Sequence, residues 1–212
     1  GMAYAEKYRK SSRIVVTYCG DGATSSNDFH TACNFAGVWK VPVVFFVNNN
    51  QWAITVPLKK QTASESIAIK ARAYGFEGIR VDGNNIFEVL EKAKYAIDKA
   101  RSGGGPTLIE CVTYRMGPHS TSDDPRRYIP SDELEKWKKK DPIEFLKQHL
   151  ISKKILTEDM EKAMREEIIL KINSAVEKAQ NAPPPPIETL ITDVYENIPP
   201  RLEKELAEII KE

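Results

Sequence analysis

Cysteine is scarce in this chain, with only three among 212 residues. Cys19, Cys33 and Cys111 lack the paired spacings that are typical of a zinc site, a redox motif or a disulfide framework. We interpret them as thiols of a protein core that folds in a reducing compartment. This interpretation predicts a cytoplasmic location and gives no chemical role to the thiols.

Excess charge of either sign and long apolar runs are also missing. Lys and Arg number 31 against 30 Asp and Glu, which leaves a formal net charge of +1. Such a balance provides no bulk electrostatic attraction to nucleic acid or to an anionic membrane surface. No apolar run approaches the roughly 20 residues that a transmembrane helix needs. We therefore predict neither nucleic acid nor a membrane as a partner.

Two short apolar segments near the start of the chain predict a pair of parallel strands. Arg13–Cys19 and Val41–Val47 are rich in β-branched residues and do not alternate in polarity, which is typical of strands buried on both faces. Between them, 28–38 has helical apolar spacing, with Asp28 as the candidate N-cap. A strand, a helix and a strand of these lengths form a crossover unit.

The same alternation continues towards residue 113. Ile79–Asp82 and Thr107–Val112 are predicted strands, and apolar residues spaced by three and four predict an amphipathic helix over 86–101. Residues 1–130 are therefore expected to form an α/β domain, a parallel sheet with helices on both faces. Residues 131–212 are expected to form a helical C-terminal extension with a stiff polyproline spacer at 183–186.

Polar residues follow the first two predicted strands at the point where each strand ends. Gly20-Asp21-Gly22 follows one strand, and Asn48-Asn49-Asn50 follows the next, with 26 residues between Gly22 and Asn49. A Gly-Asp-Gly turn or an Asn run alone is ordinary loop sequence. Together they place a carboxylate and an amide at the carboxyl ends of neighbouring strands, where ligands of such sheets bind. Those oxygens suit Mg²⁺ that holds a diphosphate.

This arrangement resembles thiamine-diphosphate enzymes, whose fingerprint is Gly-Asp-Gly followed by a double Asn at about this distance. Further motifs are similar to a narrower family, the α subunit of 2-oxo acid dehydrogenases. These subunits belong to the decarboxylating components of the branched-chain and pyruvate dehydrogenase complexes. The resemblance extends from Gly1 to about Pro200. Its motifs are Asn34–Ala36, Asn49–Thr55, Arg80–Asn84 and Tyr114–Pro125.

The resemblance implies a cofactor site that holds thiamine diphosphate and Mg²⁺. The metal ligands would be the side chains of Asp21 and Asn50 and the backbone carbonyl of Trp52. Gly22 and Ala23 would present backbone N–H groups to the diphosphate, since such donors favour anions. The full implied set for the cofactor is Gly20, Asp21, Gly22, Ala23, Asn48, Asn50, Trp52, Ala53, Ile54 and His119.

The loop after the fourth strand would carry catalysis. His119 resembles the histidine that faces the thiazolium, and Arg115 and Asp124 belong to the loop that orders around it. Ser120 corresponds to a serine that kinases phosphorylate in some relatives, which makes it a candidate regulatory site. One departure is Asn48, where many branched-chain relatives have Arg.

The function implied by the resemblance is oxidative decarboxylation of pyruvate or a branched-chain 2-oxo acid, with acyl transfer to lipoyl groups. Implied partners are a β subunit that carries the cofactor-activating glutamate, a lipoyl acyltransferase core, and a polypeptide that supplies the N-terminal part of the family domain. The chain alone is then expected to be inactive. Two alternatives stay open: a non-catalytic fragment or structural subunit that retains the fold, and a Mg²⁺-dependent phosphate-ester hydrolase. The hydrolase would need a nucleophile or base beside the metal, and none is evident.

Overall fold

The computed structural model describes residues 1–210, so the last two residues of the predicted extension lie outside the described residues. The described part contains a parallel sheet, one small hairpin and helices. The strands are β1 (Val15–Gly20), β2 (Val43–Asn49), β3 (Trp52–Ala53), β4 (Val56–Pro57), β5 (Glu77–Asp82) and β6 (Thr107–Val112). The α-helices are α1 (Met2–Tyr8), α2 (Asn27–Trp39), α3 (Leu58–Gln61), α4 (Ile86–Arg101), α5 (Ser131–Lys138), α6 (Pro142–Ser152), α7 (Glu158–Gln180), α8 (Thr189–Thr192) and α9 (Pro200–Ile209).

The main sheet has four strands in the order β1-β2-β6-β5, and every neighbouring pair is parallel. Gly20 lies opposite Asn48, and Asn49 lies opposite Val112. The carboxyl ends of all four strands therefore meet at one edge. The predicted α/β class, with a parallel sheet, helices and a helical C-terminal part, is confirmed.

Two apolar clusters fill the two faces of the sheet. On one face, Phe29 and Cys33 of α2 pack with Phe45 and with Ile67, which precedes a 3₁₀ helix. The other face packs against α4, with Ala96 buried in that cluster. The expectation of a strand buried on both faces holds for β2, and β6 is buried in the same way. It is wrong for β1, an edge strand whose Tyr18 is 69% exposed and stacks on Phe46.

Local capping chemistry sets the helix boundaries. α4 has the predicted bounds because the Asn85 side chain accepts hydrogen bonds from the N–H groups of Phe87 and Glu88. At α2 the prediction of Asp28 as N-cap is wrong. Ser26 has the extended backbone of a cap and its Oγ accepts from Phe29 N at 3.3 Å. Asp28 lies in the first helical turn, where its charge favours the helix dipole.

Contacts between Cα atoms divide the chain into two units, Gly1–Ile155 and the residues from Leu156 onward. α5 belongs to the first unit, where Trp137 stacks on Tyr114 with ring centroids 5.2 Å apart. In the second unit, α7 begins after Thr157, whose Oγ1 accepts from Met160 N. Within residues 1–210 no helix combines the length and apolarity that crossing a membrane requires. A domain boundary at residue 130 remains a prediction.

Candidate active site

Asp21 directly follows β1 and its side chain is almost fully buried, with 1% relative exposure. Its backbone carbonyl accepts from Thr24 N at 3.0 Å and Thr24 Oγ1 at 2.8 Å, which closes the 3₁₀ turn Gly22–Ser25. Its carboxylate Oδ2 accepts from Gln61 Nε2 at 2.9 Å. No cationic side chain among residues 1–210 forms an ion pair with it. Buried carboxylates in proteins are normally paired or bound to a metal.

Gly22 brings the turn after β1 against the loop after β2. A Cβ atom added to Gly22 would lie 2.7 Å from Ala53 Cβ and 3.6 Å from Ala53 Cα. Because an alanine Cβ cannot rotate away, only glycine fits here without a backbone shift. The two predicted motifs are therefore in van der Waals contact.

The three asparagines at the end of β2 have different surroundings. Asn48 is exposed and lies opposite Gly20 in the sheet. Asn49 is fully buried, and its Nδ2 donates to Glu110 Oε1 at 2.7 Å while its Oδ1 accepts from Gln51 N at 3.1 Å. The amide Oδ1 of Asn50 accepts from Trp52 N at 3.0 Å. Asn50 is therefore held by a local turn, whereas Asn49 anchors the strand end from inside the core.

The short hairpin β3–β4 comes soon after Asn50, and its backbone is strained. Gln51 and Ile54 both have left-handed backbone, with φ values of 72° and 56°. That conformation is unfavourable for a β-branched residue such as Ile54, and strain of this kind often accompanies functional loops. Arg115 supports the hairpin, since its Nη2 donates to Ile54 O at 2.6 Å and its Nη1 to Trp52 O at 3.5 Å.

The loop after β6 contains His119 and is connected to Arg115 by a chain of hydrogen bonds. Arg115 Nη2 donates to Tyr128 Oη at 2.7 Å, and Tyr128 Oη donates to Asp123 Oδ2 at 2.5 Å. Asp123 Oδ2 also accepts from His119 N at 2.7 Å. Asp123 therefore holds the histidine backbone.

Charge in this loop follows from the same contacts. The His119 backbone N–H and then the Tyr128 hydroxyl lower the pKa of Asp123. Burial and then Asp123 raise the pKa of Tyr128. Asp124 instead accepts from Arg126 N and Nε, and it caps the 3₁₀ helix Pro125–Arg127.

The remaining predicted site residues lie on the same loops. Trp52 is buried, 7% exposed, with its ring centroid 5.2 Å from that of Tyr128. Gly20 and Ala23 are exposed in and after β1. His119 and Ser120 are exposed, and Ser120 Oγ lies 3.2 Å from Ser122 Oγ. The structure thus brings the two strand-end motifs together and ties the His119 loop to the hairpin through Arg115.

Two residues near the site were missed by sequence reasoning. Gln61, at the end of α3, donates to Asp21, and no local pattern signals a contact across 40 positions. Glu110 is completely buried in β6, where its Oε2 accepts from Ala68 N at 2.9 Å. A single acidic residue inside the apolar segment Thr107–Val112 was a signal that could have identified it.

The cysteines take no part in this arrangement. Cys33 and Cys111 are buried, and burial raises the pKa of their thiols to about 12 and about 11. Cys19 is partly buried, and burial followed by the charge of Asp21 raises its pKa as well. All three are free thiols. Thiols with raised pKa values are poor nucleophiles and metal ligands at neutral pH, in agreement with a structural role.

Known proteins are similar in sequence to this chain over most or all of its length. The pyruvate dehydrogenase E1 component subunit alpha of Staphylococcus aureus (strain Mu50) is 42% identical over 213 aligned positions, covering 100% of this chain and 57% of the relative. That of Acholeplasma laidlawii is 43% identical over 182 positions, covering 85% and 53%. The 3-methyl-2-oxobutanoate dehydrogenase subunit alpha of Mycobacterium tuberculosis (strain CDC 1551 / Oshkosh) is 42% identical over 206 positions, covering 96% and 55%.

The chain thus spans somewhat more than half the length of these relatives. The model of one protein family, described as the dehydrogenase E1 component, matches residues 1–188. That range contains both strand-end motifs, the hairpin and the His119 loop. The chain belongs to the dehydrogenase E1 component family.

Proposed function

We propose that this chain is part of the decarboxylating component of a 2-oxo acid dehydrogenase complex, and that it binds Mg²⁺ and thiamine diphosphate. The observation that carries the proposal is the buried carboxylate of Asp21, which has no cationic partner among residues 1–210. Asp21 follows the end of β1, and the neighbouring strand β2 ends just before Asn50. A buried charge of this kind is stabilised by a bound cation. The names of the similar proteins support the reaction class.

The available donors fit Mg²⁺ better than a thiophilic metal. Asp21 and Asn50 offer side-chain oxygens, and Trp52 offers a backbone carbonyl. Residues 1–210 contain no group of three or more His, Cys, Asp or Glu side chains that could hold a metal by themselves. Mg²⁺ typically takes one or two protein carboxylates and fills its shell with substrate phosphates and water. The diphosphate would therefore complete this donor set.

The diphosphate itself would lie against backbone rather than side chains. The Gly22 position leaves no space for a Cβ atom, so the chain there presents only main-chain atoms. Gly20 lies two residues before Gly22 and Ala23 directly follows it, and exposed Asn48 provides an amide opposite Gly20 in the sheet. Ala53, which packs directly against Gly22, and Ile54 would line the same side of the site in this proposal.

The protein residues would then bind, orient and transfer protons. When bound, thiamine diphosphate supplies the electron sink for loss of CO₂ from a 2-oxo acid. His119 would donate a proton or a hydrogen bond to the reacting substrate. Asp123 holds the backbone of His119, which leaves the imidazole of this exposed residue available.

The family resemblance supports several partners for this activity. A β subunit would supply the cofactor-activating glutamate, further polypeptide would complete the domain, and a lipoyl acyltransferase core would accept the acyl group. The isolated chain is then inactive. The proposed substrate is pyruvate or a branched-chain 2-oxo acid. Phosphorylation of Ser120 is the proposed means of regulation. We also retain a cytoplasmic location, which the three free thiols support.

The proposal is tested by titrating thiamine diphosphate into the assembled protein by calorimetry, with and without Mg²⁺. The parent should bind only with Mg²⁺, and Asp21→Ala should abolish that binding while the fold persists. Asp28→Ala is the control, because it removes an exposed carboxylate from the first turn of α2. Unchanged affinity in Asp21→Ala contradicts the metal assignment. A parent that binds no cofactor favours the non-catalytic alternative.

A further inference from the structure

Gln61 connects the candidate metal ligand Asp21 to the hairpin. Its Nε2 donates to Asp21 Oδ2 at 2.9 Å and to the backbone carbonyl of Val56 at 3.1 Å. Since α3 ends at Gln61, the side chain extends from a fixed backbone position towards the end of β1. The amide therefore bridges the turn after β1 and strand β4.

The two acceptors also fix which way the amide points. A carboxylate oxygen and a carbonyl oxygen both require a donor, so exchanging Nε2 and Oε1 would face three oxygens towards one another. The Nε2 group is thus dedicated to Asp21 and Val56. Held in this way, Gln61 restricts the orientation of the Asp21 carboxylate.

The other end of the amide is an unusual acceptor. Gln61 Oε1 is buried and has no hydrogen-bond partner within residues 1–210. It lies 3.8 Å from the position that a Cβ atom on Gly22 would occupy, so it faces the turn after β1. Buried acceptors without a donor are destabilising, so this oxygen has the capacity to accept a hydrogen bond from a group outside the described chain.

We propose that Gln61 is a positioning residue of the metal site, which holds the Asp21 carboxylate through Nε2 and accepts a hydrogen bond from the ion's hydration water through Oε1. This inference rests on the proposed function. Replacing a residue that orients a metal ligand typically lowers metal affinity by about 10–100-fold. We expect a loss of about that size when Gln61 is replaced. Mg²⁺ usually retains several waters in its shell, which provides the donor that Oε1 lacks.

The choice of metal separates positioning from mere structural support. Mg²⁺ demands near-ideal octahedral geometry, whereas Ca²⁺ accepts irregular shells with six to eight ligands, as a rough rule. A misoriented Asp21 should therefore weaken Mg²⁺ more than Ca²⁺. A general disturbance of the turn would weaken both to the same extent.

The experiment measures how tightly the assembled protein binds Mg²⁺ and Ca²⁺ at a fixed concentration of thiamine diphosphate, by calorimetry. Gln61→Met keeps the length of the side chain and removes its hydrogen bonds. Gln148→Met is the matched control, because Gln148 also donates to a carboxylate, that of Glu144, but on exposed α6 surface. We expect Gln61→Met to lose about 10–100-fold in Mg²⁺ affinity and much less in Ca²⁺ affinity, with the control unchanged.

Two results would overturn the inference while leaving the proposed function intact. In the first, the parent binds Mg²⁺ with the cofactor and Gln61→Met binds Mg²⁺ with the same affinity. In the second, Gln61→Met loses the same factor of affinity for Mg²⁺ as for Ca²⁺. A parent that binds neither ion with the cofactor overturns the proposed function itself, and the metal role of Gln61 with it.

Discussion

Asn49 and Glu110 form a hydrogen-bonded pair in which both residues have 0% relative exposure, with Nδ2 and Oε1 2.7 Å apart. Arg80 Nε approaches the same Oε1 at 4.0 Å from a mostly exposed position. The pair connects the end of β2 to the middle of β6 within the sheet. It thereby fixes the backbone from which Asn50 emerges.

Replacing Glu110 should destabilise the fold more than an ordinary core change. Glu110→Ala would leave Asn49 Nδ2 and Ala68 N buried without acceptors, each at a cost of about 1–3 kcal/mol. We expect the free energy of unfolding to fall by roughly the sum of both, measured by chemical denaturation. Glu110→Gln should lose less, because one amide oxygen can still accept from Ala68 N. Equal losses for the two variants would contradict the role of the paired carboxylate oxygens.

The contact between Gly22 and Ala53 predicts a mutation that a second mutation repairs. Gly22→Ala places two Cβ atoms 2.7 Å apart, and overpacking of this kind costs about 1–3 kcal/mol. Adding Ala53→Gly removes the colliding atom and leaves a 3.6 Å contact to Cα, so stability should return. The double-mutant cycle is measured by thermal unfolding.

Gly20→Ala serves as the control for that cycle, since nothing lies within 4 Å of its Cβ position. Its melting temperature should match that of the parent. If the second change gave no recovery in the Gly22→Ala background, the close packing of the two loops would be wrong.

His119→Ala should separate activity from stability. The side chain is exposed and its loop contributes little apolar packing, so the melting temperature should stay within the effect of about 0.5 kcal/mol that is usual for surface changes. Loss of a positioned proton donor typically lowers a rate by about 10²–10⁴-fold. Reductive acylation of lipoyl groups by the assembled protein is the measurement. If His119→Ala transferred acyl groups at nearly the rate of the parent, the proposed catalytic role of His119 would be wrong.

The His119 loop should open in acid. Because the pKa of Asp123 is lowered in the folded protein, its stabilising contact is complete above the ordinary value of 3.8 and is lost as pH falls through the lowered pKa. The amide proton resonance of His119 should therefore shift with an inflection below pH 3.8. Asp123→Asn should abolish that inflection, whereas Asp124→Asn should keep it, since Asp124 bonds to Arg126 instead. An inflection above 3.8 would argue against the contact.

The spacing of apolar residues along the chain was enough to predict those helices and strands whose bounds are set by residues close in sequence. The bounds of α4 and β6 agree with the spacing of apolar residues and with the cap at Asn85. Gly, Asp and Asn mark the strand ends, so the sheet edge at which Asp21 and Asn50 lie could be placed from sequence. The cap of α2 was misjudged because Ser26 and Asp28 are both good capping residues, and only backbone geometry distinguishes them.

The sequence by itself determined the strand and helix pattern, because side-chain periodicity and capping act over a few neighbouring residues. Tertiary structure alone decided which strand became the edge and which polar groups met in the interior. Asp21 meets Gln61 across 40 positions, and Asn49 meets Glu110 across 61. Those pairings exist because buried polar groups must find partners, and which partners are within reach depends on how the strands and helices pack.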